Sequence, residues 1–334
     1  MSSTCFGKYQ IFPYLAAIAN LKSEMTPTIG TSVRRPTLDR WMLGSSKVCE
    51  RVTTTKPVGA ITTWQDGEDT FYLRERVEED AVLPDDMLES RVVHEAGTSA
   101  AVWIIGSNTF CKVKAWCKEQ ESESDTIRFV RNNAPSIPLP EVIYSWIDYD
   151  WNRSFLILKR VSGQTLQDAW PQLSSLQKLQ VANQIATYCS ILSKITSSFF
   201  ESATHRSVLE PFLALATKAD HPSWKPRPLG PFSLPDFASH LSQRSSTHCY
   251  DIGTHFYFYH ADLGPGNIMV SDSKVVGILD WESAGFYPRF WIASKPKISA
   301  GFFLKSTDQT EKETWRNLLG NMLEKEGFEP VMFE

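Results

Sequence analysis

The spacing of apolar and polar residues divides this chain into a strand-rich part followed by a helix-rich part. Between residues 92 and 116, short β-rich runs flank a polar turn at 106–108, which predicts a hairpin. Further strands are predicted at 141–147 and 154–158. Apolar residues then recur at helical spacing through 164–200, which predicts at least one long helix. Strands followed by helices predict an α+β fold with a β-rich N-lobe and a larger α-helical C-lobe.

The same pattern gives an expected division of the chain. Residues 1–85 hold short apolar pieces between breakers, and we expect them to form an N-terminal extension packed on the core. Residues 86–160 are expected to form the N-lobe, which includes an acidic amphipathic helix at 119–131. Residues 161–334 are expected to form the helical C-lobe. No internal repeat is evident in the sequence.

The overall composition is that of an ordinary globular protein. The 334 residues are 42% hydrophobic and carry a net charge of -4, with basic residues spread along the chain, so we expect no nucleic-acid partner. No N-terminal stretch has the pattern of a signal peptide, and no window approaches a membrane span, so we expect no membrane partner. The cysteines are scattered without a CxxC pair, which favours reduced thiols and a cytoplasmic location.

The strongest chemical signal is a group of polar residues close together in the sequence. The segment His260-Ala-Asp-Leu-Gly-Pro-Gly-Asn267 precedes two short apolar runs, and the second run ends at Asp280. Asp262 and Asn267 have the separation found in the kinase catalytic loop, H-x-D-L-x-x-x-N. Each residue alone is typical of a turn or a strand end. The full set, with a predicted strand pair before Asp280, indicates a phosphoryl-transfer site.

The chemistry of phosphoryl transfer explains why these residue types matter. The protein has to orient the attacking hydroxyl, as the carboxylate of Asp262 would, and to neutralise the charge that grows between the β- and γ-phosphates. Asn267 offers an amide oxygen and Asp280 a carboxylate, which are the hard oxygen ligands that Mg²⁺ prefers. The expected cofactors are therefore ATP and Mg²⁺.

HADLGPGNIMV followed by GILDWESAG resembles the aminoglycoside phosphotransferase and choline kinase-like family, in particular its fungal members. The resemblance extends over roughly residues 92–295. It implies a protein-kinase-like bilobal fold and transfer of the γ-phosphate of ATP to a hydroxyl of a small molecule. Carried over, it makes Asp262 the catalytic base, Asn267 and Asp280 the Mg²⁺ ligands, and His260 a residue that braces the loop.

The resemblance also implies a lysine that holds the α- and β-phosphates and a helix glutamate that holds the lysine. Lys112 fits the family pattern best, although Lys114 lies on the same face of the predicted strand. Glu123 aligns best with the glutamate, and Glu119 is the alternative. Both glutamates also fit a solvated helix face in an acidic run.

Weaker signals suggest where the rest of the nucleotide would bind. A turn containing Gly97 and Ser99 lies where a phosphate-covering loop is expected, although the sequence lacks the full G-x-G-x-x-G pattern. An ordinary hairpin turn explains these two residues equally well. Leu158 and Arg160 lie in a segment that resembles the hinge where kinases hold adenine through backbone groups and apolar side chains.

Three departures from the family pattern bear on the acceptor. Ala261 replaces the usual glycine, Trp281-Glu282 replaces Phe-Gly, and no Ala-Pro-Glu segment follows. The last two favour a small hydroxylated acceptor over a protein. The aromatic run at 281–291 fits core packing or an acceptor pocket. A protein kinase and a catalytically silent nucleotide-binding scaffold are the alternatives, and the sequence defines neither the acceptor nor the oligomeric state.

Overall fold

The computed structural model describes residues 28–52, 59–81, 88–96, 99–215, 226–244 and 250–332. Contacts divide it into two compact units. The first comprises residues 1–107, 112–115 and 146–155, and the second comprises 108–111, 116–145 and 156–334. The units are discontinuous in sequence, so they do not correspond directly to the three expected regions. The boundaries expected near residues 85 and 160 stay predictions.

The first unit contains a five-stranded antiparallel sheet in the region expected to be an extension. Its strands follow the order β1-β2-β3-β5-β4. Strand β5 buries alternate residues, Phe71 and Leu73, which is the period-two pattern of a strand with one buried face, whereas β2 and β3 bury consecutive residues. The strands are β1 (Val33–Thr37), β2 (Arg40–Leu43), β3 (Lys47–Arg51), β4 (Thr62–Asp66) and β5 (Asp69–Glu75).

A second five-stranded sheet follows, with the order β6-β7-β8-β10-β9. It confirms the predicted hairpin around 106–108. The order of its strands repeats the order in the first sheet, with one difference: a helix, α1 (Glu123–Asn133), is inserted between its third and fourth strands. The strands are β6 (Val92–Ala96), β7 (Ala100–Ile105), β8 (Thr109–Ala115), β9 (Val142–Asp148) and β10 (Arg153–Lys159).

The second unit carries the remaining helices. The long helix predicted within 164–200 is α3, which begins with a capping box formed by Ser174 and Gln177. It buries Val181, Ile185 and Cys189 in the core. The helices after α1 are α2 (Leu166–Ala169), α3 (Ser175–Leu192), α4 (Leu234–Arg244), α5 (Trp291–Ile298) and α6 (Gln309–Lys325). No helix among the described residues is long and apolar enough to cross a membrane.

Short strands in the second unit hold the segment from His260 to Asp280 in place. One three-stranded sheet has the order β11-β16-β17, another has the order β12-β15-β18, and β13 pairs with β14. The strands are β11 (Gln164–Thr165), β12 (Thr196–Ser197), β13 (Phe199–Phe200), β14 (Phe232–Ser233), β15 (Phe256–Tyr259), β16 (Ile268–Ser271), β17 (Lys274–Ile278) and β18 (Gly285–Tyr287). The expected α+β class, with β-rich residues first and helices afterwards, is confirmed.

Candidate active site

The loop that carries the candidate catalytic residues runs from the end of β15 to the start of β16. Its first residue, His260, is fully buried. The Nε2 atom of His260 donates to the carbonyl of Leu279 at 2.9 Å, and the amide of Asp262 donates to Nδ1 at 3.1 Å. A carbonyl only accepts and an amide only donates, so these partners require a neutral imidazole with its proton on Nε2. The ring thus joins the loop to the chain just before Asp280.

Asn267, at the other end of the loop, is bonded directly to Asp262. Its side-chain nitrogen donates to the backbone carbonyl of Asp262 and to Oδ2 of the same residue, at 2.9 Å each. The carbonyl of Asn267 accepts from the amide of Leu279 at 2.8 Å. With the nitrogen engaged in this way, the amide oxygen is the side-chain atom of Asn267 that offers itself to a cation.

Asp280 follows β17 with a left-handed backbone, at φ 62°. Its carboxylate lies with those of Glu123 and Glu282 in a group whose ligand atoms are all within 4.8 Å of one another. Glu123 is the first residue of α1, and its Oε1 accepts from the amide of Trp281 at 3.2 Å. These three carboxylates are hard oxygen donors of the kind that Mg²⁺ prefers. Glu282 was not predicted to belong to this group, because an acidic residue shortly after Asp280 has no distinctive spacing.

The Asp262 carboxyl is held in an environment that makes it a stronger base. Burial, and next the negative charge of Asp280, raise the pKa of Asp262 above its ordinary value. The charge of Lys295 and the hydrogen bond from Asn267 act in the opposite direction. Asp262 is therefore bonded to one proposed metal ligand and electrostatically coupled to the other.

A buried ion pair supports the site from the C-terminal side. The ammonium of Lys295, on α5, lies 2.6 Å from both carboxylate oxygens of Glu210, and Trp291 Nε1 donates to the same carboxylate at 3.1 Å. Both charged residues are buried, so each depends on the other for charge compensation. Sequence reasoning did not identify this pair, because the two residues are 85 positions apart.

The segment after α5 lies against the catalytic loop. A side chain at Gly301 would begin 3.3 Å from Asp262 Oδ1, and a side chain at Gly264 would overlap the carbonyl of Gly301. The hydroxyl of Ser299 accepts from the amide of Gly301 at 3.2 Å. Two glycines thus allow the chain to pass close to the proposed base.

The candidate glutamates differ clearly in position. Glu119 is exposed and precedes α1, and its backbone carbonyl accepts from the amide of Ser207. Glu123 contacts the chain next to Asp280. Among the lysines, Lys112 and Lys114 share the half-buried face of β8, as the period-two pattern predicts, so the choice between them stays open.

The remaining predicted nucleotide contacts are distributed along the chain. Gly97 lies outside the described residues, and Ser99 directly precedes β7 in the first unit. Leu158 is partly buried against the core of the second unit. Arg160 is exposed, and its amide donates to the carbonyl of Asn108 at 2.7 Å. The backbone of Arg160 is therefore already used in part by the protein itself.

Comparison with known proteins gives matches to structures and to a family model. No curated protein matches significantly. A thermostable mutant of aminoglycoside phosphotransferase APH(4)-Ia, in a ternary complex with AMP-PNP and hygromycin B, is 16% identical, with 61% of this chain and 70% of that chain covered and a TM-score of 0.41. The streptomycin-ATP complex of APH(2")-IIa is 13% identical, with 71% and 77% covered and a TM-score of 0.41.

The family match covers the catalytic loop and the candidate metal ligands. The model of the phosphotransferase enzyme family matches residues 110–291, which is more than half of the chain. The matched range includes α1 with Glu123, the catalytic loop and Asp280. This chain belongs to the phosphotransferase enzyme family.

Proposed function

We propose that this protein transfers the γ-phosphate of ATP to a hydroxyl group of a small molecule. The observation that carries the proposal is the bonded unit made by Asp262, Asn267 and the chain preceding Asp280. Two hydrogen bonds join Asn267 to Asp262, and two join the loop to Leu279. These bonds support the proposal, because phosphoryl transfer requires a base and oxygen ligands for the metal held close together.

In this proposal, Asp262 accepts the proton of the acceptor hydroxyl as its oxygen attacks the γ-phosphorus of ATP. The bond from that phosphorus to the bridging oxygen breaks, and ADP is the leaving group. The amide of Asn267 fixes the carboxylate orientation, and His260 holds the loop at its other end. The amide oxygen of Asn267 and the carboxylate of Asp280 would hold Mg²⁺. A bound Mg²⁺ would neutralise negative charge on the phosphates. Because its pKa is raised, Asp262 accepts a proton more readily than an ordinary surface aspartate does.

Further residues are assigned to ATP by the resemblance. Lys112, with Lys114 as the alternative, would hold the α- and β-phosphates, and Glu123 would be the acidic partner. The turn of Gly97 and Ser99 would cover the phosphates. The position of the half-buried Glu123 carboxylate near that of Asp280 supports its inclusion, because a glutamate on a solvated helix face would have no contact with Trp281.

The hinge contacts with adenine are proposed at Leu158 and Arg160. Leu158 offers an apolar side chain at the margin of the core. The amide of Arg160 already donates to Asn108, so its carbonyl is the backbone group proposed to receive the adenine amino group.

A small acceptor is favoured over a protein by the chain after Asp280. Residues 281–290 contain a short 3-10 turn and β18, and α5 begins directly at Trp291. This connection leaves little length for the activation segment of a protein kinase. The acidic groups Asp262, Asp280 and Glu282 suit an acceptor or a metal with positive charge.

A screen of hydroxylated small molecules tests the proposal. The chain is incubated with Mg-ATP and each compound, and mass spectrometry detects the gain of one phosphate. We expect at least one compound to gain phosphate in an ATP-dependent reaction, and Asp280→Asn to lose that activity. Phosphate gain that is equally fast with Asp280→Asn would contradict the assignment of the metal ligand, and labelling of proteins alone would favour a protein kinase.

A further inference from the structure

The two five-stranded sheets share a residue pattern as well as an order of strands. In the first sheet, Trp41 lies on β2, three residues before Gly44, which opens the turn into β3. In the second sheet, Trp103 lies on β7, three residues before Gly106, which opens the turn into β8. A serine follows the glycine in both turns. The second and third strands of the two sheets are therefore built on the same pattern.

The fourth and fifth strands repeat a second pattern. Trp64 precedes Asp66 by two positions, and its ring stacks on Phe71 with 5.8 Å between centroids and 16° between planes. Trp146 precedes Asp148 by two positions, and its ring stacks on Phe155 with 4.6 Å between centroids and 10° between planes. In both sheets, the aspartate closes the fourth strand and the phenylalanine lies on the fifth.

The repeated residues contact each other reciprocally. The amide of Ser45 donates to Asp148 Oδ2 at 2.6 Å, and the amide of Ser107 donates to Asp66 Oδ2 at 2.9 Å. In each sheet, the turn between the second and third strands thus donates a backbone hydrogen bond to the aspartate of the other sheet. An exchange of equivalent surfaces is the mark of a two-fold arrangement, here between two parts of one chain.

The glycines at the two turns are required for the same reason. Both have a left-handed backbone, with φ 65° at Gly44 and φ 70° at Gly106. A side chain at Gly44 would overlap the carboxylate of Asp148 and begin 2.9 Å from the Phe155 ring. One at Gly106 would overlap the carboxylate of Asp66 and begin 2.8 Å from the Phe71 ring. In each sheet, the glycine therefore allows the turn to approach the aspartate and the phenylalanine of the other sheet.

The positions that matter for the proposed nucleotide site differ between the sheets. Glu50 lies six residues after Gly44, and Lys112 lies six residues after Gly106. Arg74 lies three residues after Phe71, and Leu158 lies three residues after Phe155. The first sheet thus carries a glutamate where the second carries the candidate phosphate-binding lysine.

The two substituted positions of the first sheet bind each other. Glu50 forms an ion pair with Arg74 at 3.0 Å and accepts from Tyr72, and Arg74 also pairs with Asp80 at 2.6 Å. Glu50 and Asp80 are buried. A carboxylate in place of the lysine would repel a triphosphate. The charged groups that a ligand would contact are already paired with each other.

We infer that the sheet β1–β5 is a second copy of the nucleotide-lobe sheet that no longer binds nucleotide, and that its Asp66 positions the strand carrying Lys112. Asp66 accepts from the amide of Ser107 in the turn that leads directly into β8, five residues before Lys112. Loss of this acceptor, which is buried although the turn itself is exposed, would remove the protein partner of the Ser107 amide and leave a less defined start for β8. The positioning of Lys112 rests on the proposed function, whereas the duplication itself does not.

Hydrogen exchange tests the reciprocal contacts of the two sheets independently of any activity. We expect Asp66→Ala to accelerate exchange at the Ser107 amide and to leave the Ser45 amide protected. Asp148→Ala is expected to do the reverse. Asp69→Ala is the matched control, because Asp69 lies in the same β4–β5 hairpin as Asp66 but pairs with Arg51 on the surface. Unchanged protection of Ser107 in Asp66→Ala, or equal loss at both amides in each variant, would overturn the inference.

Kinetics test the positioning of Lys112. In Asp66→Ala we expect the KM for ATP to rise about five-fold while kcat at saturating ATP is kept. Asp69→Ala is expected to change neither constant. If Asp66→Ala does not fold, Asp66→Asn keeps the volume and weakens the acceptor, and the same shift in KM is expected. An unchanged KM in a folded variant with an exposed Ser107 amide would overturn the positioning claim, and a wild-type chain that does not bind ATP would instead overturn the proposed function.

Discussion

Asn267 donates its side-chain amide to both the backbone carbonyl and the carboxylate of Asp262, at 2.9 Å each. Asn267→Asp keeps the size and an oxygen ligand but replaces the donor with a second carboxylate beside Asp262. We expect a loss of about 1–3 kcal/mol of unfolding free energy at neutral pH, since a buried acceptor loses its donor. Denaturant unfolding at pH 7 measures this. A variant as stable as the wild type would show that the bond does not hold the loop.

His260→Asn tests the brace at the other end of the loop. The shorter side chain cannot span from the Asp262 amide to the Leu279 carbonyl, so we expect about 2–3 kcal/mol lower stability and a lower kcat for each folded molecule. His240→Asn is the control, because His240 is also buried and its Nε2 lies 2.8 Å from a backbone carbonyl, that of Leu213. It should lower stability but leave kcat unchanged. Equal effects of the two variants on kcat would contradict the brace.

Ala261→Gly tests the departure from the family glycine. Ala261 has a left-handed backbone at φ 65°, which costs a non-glycine residue about 1–2 kcal/mol. Glycine would relieve that strain, but it removes a buried methyl group worth about 0.8 kcal/mol and adds about 0.4–1 kcal/mol of unfolded-state entropy. We therefore expect a change within about 1 kcal/mol of zero. A loss above about 2 kcal/mol in thermal or denaturant unfolding would contradict this balance.

The pH dependence of stability is predicted at Asp80 in the first sheet. Hydrogen bonds from Arg74, and then the amide of Val77, lower the pKa of Asp80 to about 2. A carboxyl with a lowered folded pKa contributes stability above its unfolded pKa, near 4, and loses it as the pH falls toward 2. We expect Asp80→Asn to cost about 2 kcal/mol at pH 7 and progressively less below pH 4. A cost that does not change between pH 7 and pH 2 would contradict the pKa assignment.

The elements around the proposed catalytic loop were predictable because their signal is local. Asp262, Asn267 and Asp280 lie within one short stretch, and the strands between the loop and Asp280 follow from two apolar runs. The hairpin at 106–108 and the helix α1 were likewise predicted from neighbouring residues. Glu123 was chosen over Glu119 by alignment, and its contact with Trp281 supports that choice.

The duplicated sheet could not be read from the sequence for a physical reason. From Gly44 to Asp66 the chain has 22 positions, but from Gly106 to Asp148 it has 42, because α1 is inserted between the third and fourth strands of the second sheet. A repeat with such different spacing has no fixed period. The shared residues are single tryptophans, glycines and aspartates, each of which has an ordinary local explanation. The pair of Lys295 and Glu210 was missed because only the folded chain brings them together.

The most direct test of the account compares Asp262→Asn with the wild-type chain, once an acceptor has been found. Binding of Mg-ATP and kcat at saturating ATP and acceptor are measured on the same folded samples. The account predicts that kcat falls about 10²–10⁴-fold, because the base is lost, while the affinity for Mg-ATP changes little. A kcat within a few-fold of the wild type would contradict the central claim that Asp262 accepts the proton from the attacking hydroxyl.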